Sequence, residues 1–214
     1  MFKFAHTLFD MELNTKQIEI LKIAQDLFGS YGYEATSVRE IAQAAGINVA
    51  MINYYFGSKD NLMEIIVKRA ASSYMMDASI FDKEQDPILR LELMIEHYVQ
   101  TKINNSHVYQ IIASEANLKK RIINSDAFKE LRSHNINLIK EVISYGCEKG
   151  VFKYYDPILI HATMIGTFMN FKINKVVFNE LYPAATEKMY EEFINDKLIN
   201  HLKFTLKAIL TYEK

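Results

Sequence analysis

Three helix-start signals and two helix-stop signals alternate within residues 37–58. In chain order they are Ser37, Gly46, Asn48, Gly57 and Ser58. Serine and asparagine side chains accept hydrogen bonds from free N–H groups at a helix N-terminus, and glycine lets the backbone leave a helix. Glu40 stands three residues after Ser37, which is the spacing of a capping box. The pattern predicts short helices over about residues 37–45 and 48–56, with a further helix starting at the last cap.

The rest of the chain predicts helices as well. Apolar residues recur at helical spacing, and only seven glycines and three prolines interrupt 214 residues. The other predicted helices cover residues 14–30, 58–73, 87–104, 106–117, 124–149, 156–180 and 185–212. We therefore expect an all-α protein of about nine helices, with an N-terminal three-helix head and a larger C-terminal helical body.

The second short helix has an apolar face and an outward face. On a helical wheel, Ile52 and Phe56 lie one turn apart and are expected to pack against the first helix. The outward face carries Ala50, Asn53 and Tyr54, flanked by Val49 and Met51, with Tyr55 at its edge. Two short helices joined by a tight turn form a helix-turn-helix, and an amide beside a phenol suits the DNA major groove. Other pairs of short packed helices produce the same pattern, so it does not establish DNA binding alone.

The charge of the chain gives DNA binding little support. The whole chain has a net charge of −1, and residues 1–60 carry five Lys and Arg against seven Asp and Glu, a net charge of −2. Proteins that hold DNA through a broad basic surface show the opposite balance. A DNA interface here must depend on a few placed groups, with Lys59 and Arg39 as candidate contacts to phosphate or guanine.

Residues 35–62, ATSVREIAQAAGINVAMINYYFGSKDNL, resemble the DNA-binding head of the TetR family of bacterial transcriptional regulators. The resemblance rests on Thr36-Ser37, Ile41-Ala42, Ala45-Gly46-Ile47, Asn53-Tyr54-Tyr55-Phe56 and Ser58-Lys59-Asp60-Asn61-Leu62. It implies DNA contacts from Thr36, Arg39, Val49, Met51, Asn53, Tyr54, Tyr55 and Lys59. Of these, Tyr55 and Lys59 are expected on phosphates, and Arg39, Met51 and Asn53 near bases. Asn53 stands where tyrosine is common in the family, which predicts a different operator sequence.

The resemblance also implies that the chain has two domains with different functions. Residues 1–60 are the expected DNA-binding domain, with residues 1–13 as a candidate flexible arm, and residues 61–214 are the expected domain for ligand binding and dimerisation. A dimer is expected through helices 156–180 and 185–212, because a two-fold dimer doubles the base contacts and binds a palindrome. The last helix carries an apolar stripe of Phe193, Ile194, Leu198, Leu202, Thr205, Leu206, Ile209 and Leu210, which either forms that interface or packs on its own body.

A regulator of this kind needs an effector, and the resemblance implies a small-molecule pocket in the body. Polar or aromatic residues on otherwise apolar helices are the candidates: His97, Tyr98, Tyr109, Glu115, Phe168, Asn170 and Phe171. Thirteen Tyr, thirteen Phe and ten Met favour an adaptable pocket for a small hydrophobic or amphipathic effector. Each residue alone is also an ordinary core or surface side chain in many helical proteins.

Enzyme functions find little support in the sequence. The six histidines lack metal-ligand spacing, Cys147 lies near the C-terminal end of a predicted helix, and the glycines do not form a phosphate loop. We expect no metal and no cofactor. No segment has the length of a membrane span, so we expect a cytoplasmic repressor. The alternative is a helical ligand-binding or partner-binding protein whose head no longer binds DNA.

Overall fold

The computed structural model describes residues 13–103 and 125–212, without the side chains of residues 172 and 173. The predicted helix over residues 106–117, and with it Tyr109 and Glu115, lies outside the described residues. The α-helices are α1 (Thr15–Tyr31), α2 (Val38–Ala44), α3 (Val49–Phe56), α4 (Lys59–Ser73), α5 (Pro87–Ile103), α6 (Asp126–Glu148), α7 (Pro157–Ile173), α8 (Lys175–Leu181), α9 (Glu187–Glu192) and α10 (Ile199–Thr211). A 3-10 turn spans Ala78–Ile80, and a π-helical segment, Phe193–Leu198, joins α9 to α10. The expected all-α fold is confirmed.

The described residues divide into two compact units. The first contains residues 13–75 and 125–131, and the second contains residues 76–103 and 132–212. Helix α4 therefore belongs to the same compact unit as α1 to α3. The functional division between residues 60 and 61 is a separate matter and stays a prediction.

The caps predicted in the first unit are present. Ser37 and Glu40 form a reciprocal capping box on α2, and the side chains of Asn48 and Ser58 accept backbone N–H bonds at the starts of α3 and α4. Gly46 and Gly57 adopt positive φ angles of 61° and 72° at the two turns. Because residues with a Cβ disfavour this conformation, glycine fixes both points at which the chain turns.

The core of the first unit is built from the apolar faces of these helices. Phe28, Ile41, Ile52, Phe56 and Leu62 are all buried. The two residues that the wheel of α3 placed inward, Ile52 and Phe56, are among them, so that prediction is confirmed. Burying this face fixes the rotation of α3 about its own axis, and therefore determines which side chains it presents to solvent.

The second unit is held together by packing of α10 on α5 and by polar contacts at its ends. Lys203 of α10 forms ion pairs with Glu92 and Glu96 of α5. The backbone N–H of Lys153 donates to the carbonyl of Leu210 at 2.8 Å, which joins the segment before α7 to the end of α10.

Of the last two predicted helices, the first is interrupted, so its prediction as a single helix is wrong, and the second is one helical run that contains a π-helical segment. The helix predicted over residues 156–180 breaks at Asn174, where φ is −101° and ψ is 36°, and continues as α8. The helix predicted over residues 185–212 begins at Glu187 and contains the π-helical segment. The break lets Phe178 of α8 pack against the rings of Tyr190 and Phe193, at 5.1 Å between centroids in both cases.

None of the helices in the described part of the chain combines the length and the apolar character that crossing a membrane requires.

Candidate nucleic-acid interface and effector site

The outward face of α3 presents the side chains that the wheel predicted. Tyr54 is 84% exposed, Met51 and Asn53 are also exposed, and Val49 and Tyr55 are half-buried. The rings of Tyr54 and Tyr55 meet edge to face with centroids 5.3 Å apart. A phenol that is almost fully exposed gains nothing from the core, so the position of Tyr54 leaves it available to an external partner.

Lys59 and Asp60 in the first turn of α4 contact one aromatic ring. The Lys59 ammonium lies 4.0 Å from the centroid of Tyr33, and the Tyr33 hydroxyl donates a 2.6 Å hydrogen bond to Asp60 Oδ1. The ring of Tyr33 is itself buried and packs on Phe28 with centroids 5.2 Å apart. The ring thus restricts where the Lys59 side chain extends from the start of α4. Tyr33 was not predicted as a functional residue, because its contact is with a residue 27 positions away.

Arg39 is exposed on the first turn of α2, one residue before the capping Glu40. Hydrogen bonds from the Ser37 backbone and side chain hold the pKa of Glu40 below its usual value, and the Lys59 charge lowers it further. Lys59, which is predicted to bind phosphate, therefore lies close enough to the start of α2 to lower the pKa of Glu40. Arg39 and Lys59 stay predicted contacts to DNA.

Thr36 does not lie on this surface. Its side chain is 2% exposed, and its hydroxyl donates to the carbonyl of Gly32 at 2.8 Å, within the same unit. The hydroxyl therefore secures the backbone between α1 and α2 in this structure. We assign Thr36 to the core and leave it out of the proposed DNA surface.

Two of the residues predicted for an effector lie inside the second unit. Tyr98 on α5 and Phe168 on α7 are fully buried. His97 is half-buried, and its Nε2 accepts a 2.9 Å hydrogen bond from the backbone N–H of Asp77. Burial lowers the pKa of His97, the Lys102 charge lowers it further, and Asp77 opposes both.

The other two described candidates are placed differently. Asn170 is exposed and its side-chain oxygen accepts a hydrogen bond from the Asn174 side chain at 2.9 Å, so it belongs to the surface at the end of α7. Phe171 is half-buried and packs on Phe193 with centroids 5.3 Å apart. Among the described residues, no recorded contact joins Asn170 or Phe171 to Tyr98.

Two polar residues that the sequence analysis left out accompany Tyr98. The hydroxyl of Tyr98 lies 3.5 Å from His161 Nε2, and the Lys102 ammonium lies 3.4 Å from the centroid of the Tyr98 ring. Lys102 is only 3% exposed. A usable signal was present in the sequence, because Lys102 follows Tyr98 by four residues and therefore shares its buried face.

An open groove with a cavity volume of about 580 Å³ lies elsewhere in the second unit. Its walls are Phe178, Tyr182, Ala185, Met189, Glu192, Phe193, Asp196 and Lys197. None of the predicted effector residues that the structure describes lines it. Within the described residues, no group of three or more His, Cys, Asp or Glu side chains is arranged to hold a metal ion.

Two family models match the chain. Residues 20–66 match the bacterial regulatory proteins of the tetR family, and residues 87–191 match the tetracyclin repressor-like C-terminal domain. The first match covers α3 and the start of α4. The second covers the helices that hold Tyr98 and His161.

Curated relatives are similar over part of their length. The chain is 33% identical over 127 residues to the probable HTH-type transcriptional regulator YttP of Bacillus subtilis, covering 56% of this chain and 61% of that protein. It thus spans less than two thirds of YttP. It is 24% identical over 146 residues to the HTH-type transcriptional repressor KstR2 of Mycobacterium tuberculosis, covering 66% of this chain and 72% of the repressor.

Solved structures share the fold at low identity. The fatty acid degradation regulator FadR from Bacillus halodurans aligns with a TM-score of 0.68 at 19% identity, covering 92% of this chain and 96% of that one. The structure of KstR2 aligns with a TM-score of 0.66 at 20% identity, covering 94% and 97%. These alignments support the arrangement of helices and carry no information about the ligand.

Proposed function

Because the chain belongs to the TetR family of DNA-binding bacterial transcriptional regulators, we propose that it binds a palindromic operator as a homodimer, represses transcription and is released by a small-molecule effector. The observation that carries this proposal is the outward face of α3, where Met51, Asn53 and Tyr54 are exposed on a helix held in place by its buried side.

The proposed contacts to DNA divide into two chemical kinds. Asn53 offers an amide that can pair with adenine in the major groove, and Met51 and Val49 offer apolar contact to thymine methyl groups. Tyr54, Tyr55 and Lys59 are proposed to hold the phosphate backbone, and Arg39 either a phosphate or a guanine edge. Phosphate contacts set affinity and register, whereas Asn53 sets sequence preference.

The homodimer is proposed through exposed apolar residues of α7 and α10. Ile158 and Leu159 are 59% and 52% exposed, and Phe204 is 76% exposed. Exposed apolar patches often mark protein–protein interfaces, so these residues support a face that is covered by a second subunit. The hydrogen bond between Lys153 and Leu210 places the start of α7 beside the end of α10, which supports one continuous surface.

The stripe that the sequence analysis considered for this interface lies mostly inward. Ile194, Leu198, Leu202, Leu206 and Leu210 are buried within their own unit, so they cannot cover a partner. The alternative interpretation, that the stripe packs on its own body, accounts for these residues. The proposed interface therefore depends on Phe204, which sits on another side of α10.

The effector is proposed to bind in the body near Tyr98 and Phe168, the two predicted residues that are fully buried there. Binding that favours a conformation with low operator affinity releases the repressor, because an effector shifts an equilibrium only by its different affinity for the two states.

The test is selection of genomic fragments by the purified protein, followed by a mobility shift on the selected DNA across several salt concentrations. The proposal predicts an inverted repeat with two half-sites and a steep loss of affinity with salt. If no palindromic site is enriched, the proposal fails. The alternative is then a ligand-binding or partner-binding protein whose head does not bind DNA, which agrees with the net charge of −2 over residues 1–60.

A further inference from the structure

Side chains from two helices hold the backbone at Met76, the first residue of the second unit. The Met76 N–H donates to Oδ1 of Asn135 on α6 at 2.9 Å, and the Met76 carbonyl lies 2.8 Å from Nε2 of His134 on the same helix. The N–H of the next residue, Asp77, donates to Nε2 of His97 on α5 at 2.9 Å. Three backbone polar groups in succession are therefore bound by side chains, and two of these side chains are histidines.

The two histidines carry their protons on different ring nitrogens. A backbone N–H can only donate, so Nε2 of His97 is an acceptor and the neutral ring has its proton on Nδ1. A carbonyl can only accept, so Nε2 of His134 carries a proton. An imidazolium is protonated on both nitrogens. Protonation therefore removes the bond that His97 accepts and leaves the bond that His134 donates.

The charged groups around His97 come from three elements. Asp77, just before the 3-10 turn, and Lys102, on α5 itself, both act on the imidazole. Glu96, the neighbour of His97 on α5, is paired with Lys203 of α10. Burial lowers the pKa of His97 and the Lys102 charge lowers it further, while the Asp77 charge opposes both. His97 is thus mainly neutral at pH 7, the form that can accept a hydrogen bond, and it is protonated only in acid.

We propose that His97 holds Asp77 through an acid-sensitive hydrogen bond, which opens when the imidazole is protonated. His134 and Asn135 hold Met76 through bonds that do not depend on pH in the same range, because a protonated His134 still donates and an amide does not titrate. Mild acid therefore frees the backbone of Asp77 and leaves that of Met76 bound. This pH response goes beyond the proposed function, since it needs neither DNA nor an effector.

Release of Asp77 also affects the 3-10 turn Ala78–Ile80. The Asp77 carboxylate begins this turn by accepting a 2.9 Å hydrogen bond from the N–H of Ser79. A protonated His97 attracts the same carboxylate, so the imidazolium competes with Ser79 for it. The start of the turn thus loses the backbone bond at Asp77 and part of the bond to its side chain together.

The first measurement assigns the protons. Proton–nitrogen correlation spectra of the full-length protein with isotope-labelled histidine distinguish the two neutral tautomers. At neutral pH we expect His97 without a proton on Nε2 and His134 with a proton there. A proton on Nε2 of His97 would overturn the proposal, because that ring could not accept a bond from the N–H of Asp77.

The second measurement follows backbone amides by hydrogen exchange, between about pH 8 and about pH 4.5. Protection factors, which correct for the pH dependence of exchange in an unfolded chain, are compared for Met76 and Asp77. The protection of Asp77 should fall by a factor of about five to ten, as expected for one hydrogen bond. Its midpoint should coincide with the titration of the His97 imidazole. Constant protection of Asp77, or an equal loss at Met76 with the same midpoint, would contradict the proposal.

A non-titrating variant separates His97 from the other histidines. His97→Gln keeps a polar side chain that can accept a hydrogen bond and cannot be protonated near neutral pH, so the protection of Asp77 should no longer change with pH. The matched control is His201→Gln, which removes an exposed histidine of α10 and should retain the wild-type pH dependence. Loss of protection in His97→Gln with the wild-type midpoint would show that another group releases Asp77.

These readouts are independent of the proposed function. Tautomers and amide protection are measured without DNA or effector, so a failure to find an operator leaves them unaffected. Conversely, an operator may be bound while Asp77 shows no pH-dependent protection, and then only the role of His97 is overturned.

Discussion

The hydroxyl of Tyr33 donates a 2.6 Å hydrogen bond to the carboxylate of Asp60, and so joins the segment after α1 to the first turn of α4. The same ring carries the Lys59 ammonium 4.0 Å from its centroid. One buried aromatic side chain therefore contacts both charged residues at the start of α4. Lys59 reaches its proposed phosphate from a position that the core of the first unit defines.

Tyr33→Phe should destabilise the protein without moving Lys59. The substitution removes a hydrogen bond to a charged acceptor, which contributes on the order of 1–3 kcal/mol, and it keeps the ring on which Lys59 lies. Urea unfolding followed by circular dichroism measures the change. Tyr31→Phe is the control, since the Tyr31 side chain is 70% exposed and should show wild-type stability. Equal midpoints for the Tyr33 variant and the wild type would show that the bond contributes nothing.

Phe204→Glu should dissociate the proposed dimer. Burying a carboxylate at the centre of an apolar interface is unfavourable, while the same side chain on a free monomer surface is harmless. Analytical ultracentrifugation should give a dimer for the wild type and a monomer for the variant. Leu89→Glu, on an exposed position of α5, is the control and should remain dimeric. A wild-type monomer, or a variant that still dimerises, would contradict the proposed interface.

His161 should make the protein less stable in mild acid. Burial lowers the pKa of His161 to about 4 in the folded protein, below the value of 6.5 that is usual for a histidine in water. Between these two values the unfolded chain binds a proton that the folded state does not, so the free energy of unfolding falls as the pH falls from 6.5 towards 4. Replacing His161 with Phe removes this contribution.

The measurement is the urea midpoint of both proteins at several pH values. The difference in stability between His161→Phe and the wild type should shift in favour of the variant as the pH falls through this window. His201→Phe is the control, because His201 is exposed. A pH-independent difference for His161→Phe would mean that its imidazole titrates normally in the folded state.

Gly146→Ala should destabilise the junction between α6 and α7. A Cβ at residue 146 would lie 1.8 Å from Cδ2 of Phe152, and the ring of Phe152 is itself buried. Overpacking of this kind costs about 1–3 kcal/mol. Thermal and urea unfolding should show the loss, and the double variant Gly146→Ala with Phe152→Leu should lose less than the two single losses combined. If the two single losses simply add in the double variant, the contact between residues 146 and 152 is not the source of the lost stability.

The head was predictable because its signals are local. Capping by Ser37, Asn48 and Ser58 depends on backbone groups two or three residues away, so sequence spacing is sufficient to find it. The inward position of Ile52 follows from helical periodicity alone. Thr36 was different, since its hydroxyl could bond to DNA or to the backbone, and only the packed unit shows that it bonds to Gly32.

The body was less predictable because its features depend on packing between distant segments. No Gly or Pro marks the break at Asn174, which is stabilised instead by aromatic contacts of Phe178 with residues beyond the break. The burial of Lys102 likewise depends on neighbouring helices. A lysine on the apolar face of a predicted helix was the only sign of it in the sequence.

The most direct test of the central claim is a salt-dependent operator titration of the wild type, Asn53→Ala and Lys59→Ala, using the selected palindrome and single-base variants of it. The account predicts that Lys59→Ala weakens all sequences alike and reduces the salt slope by about two for a dimer. Asn53→Ala should instead abolish discrimination at one position of each half-site, worth about 1–3 kcal/mol in the wild type. Binding that is unchanged by both substitutions would show that α3 and the start of α4 do not contact DNA.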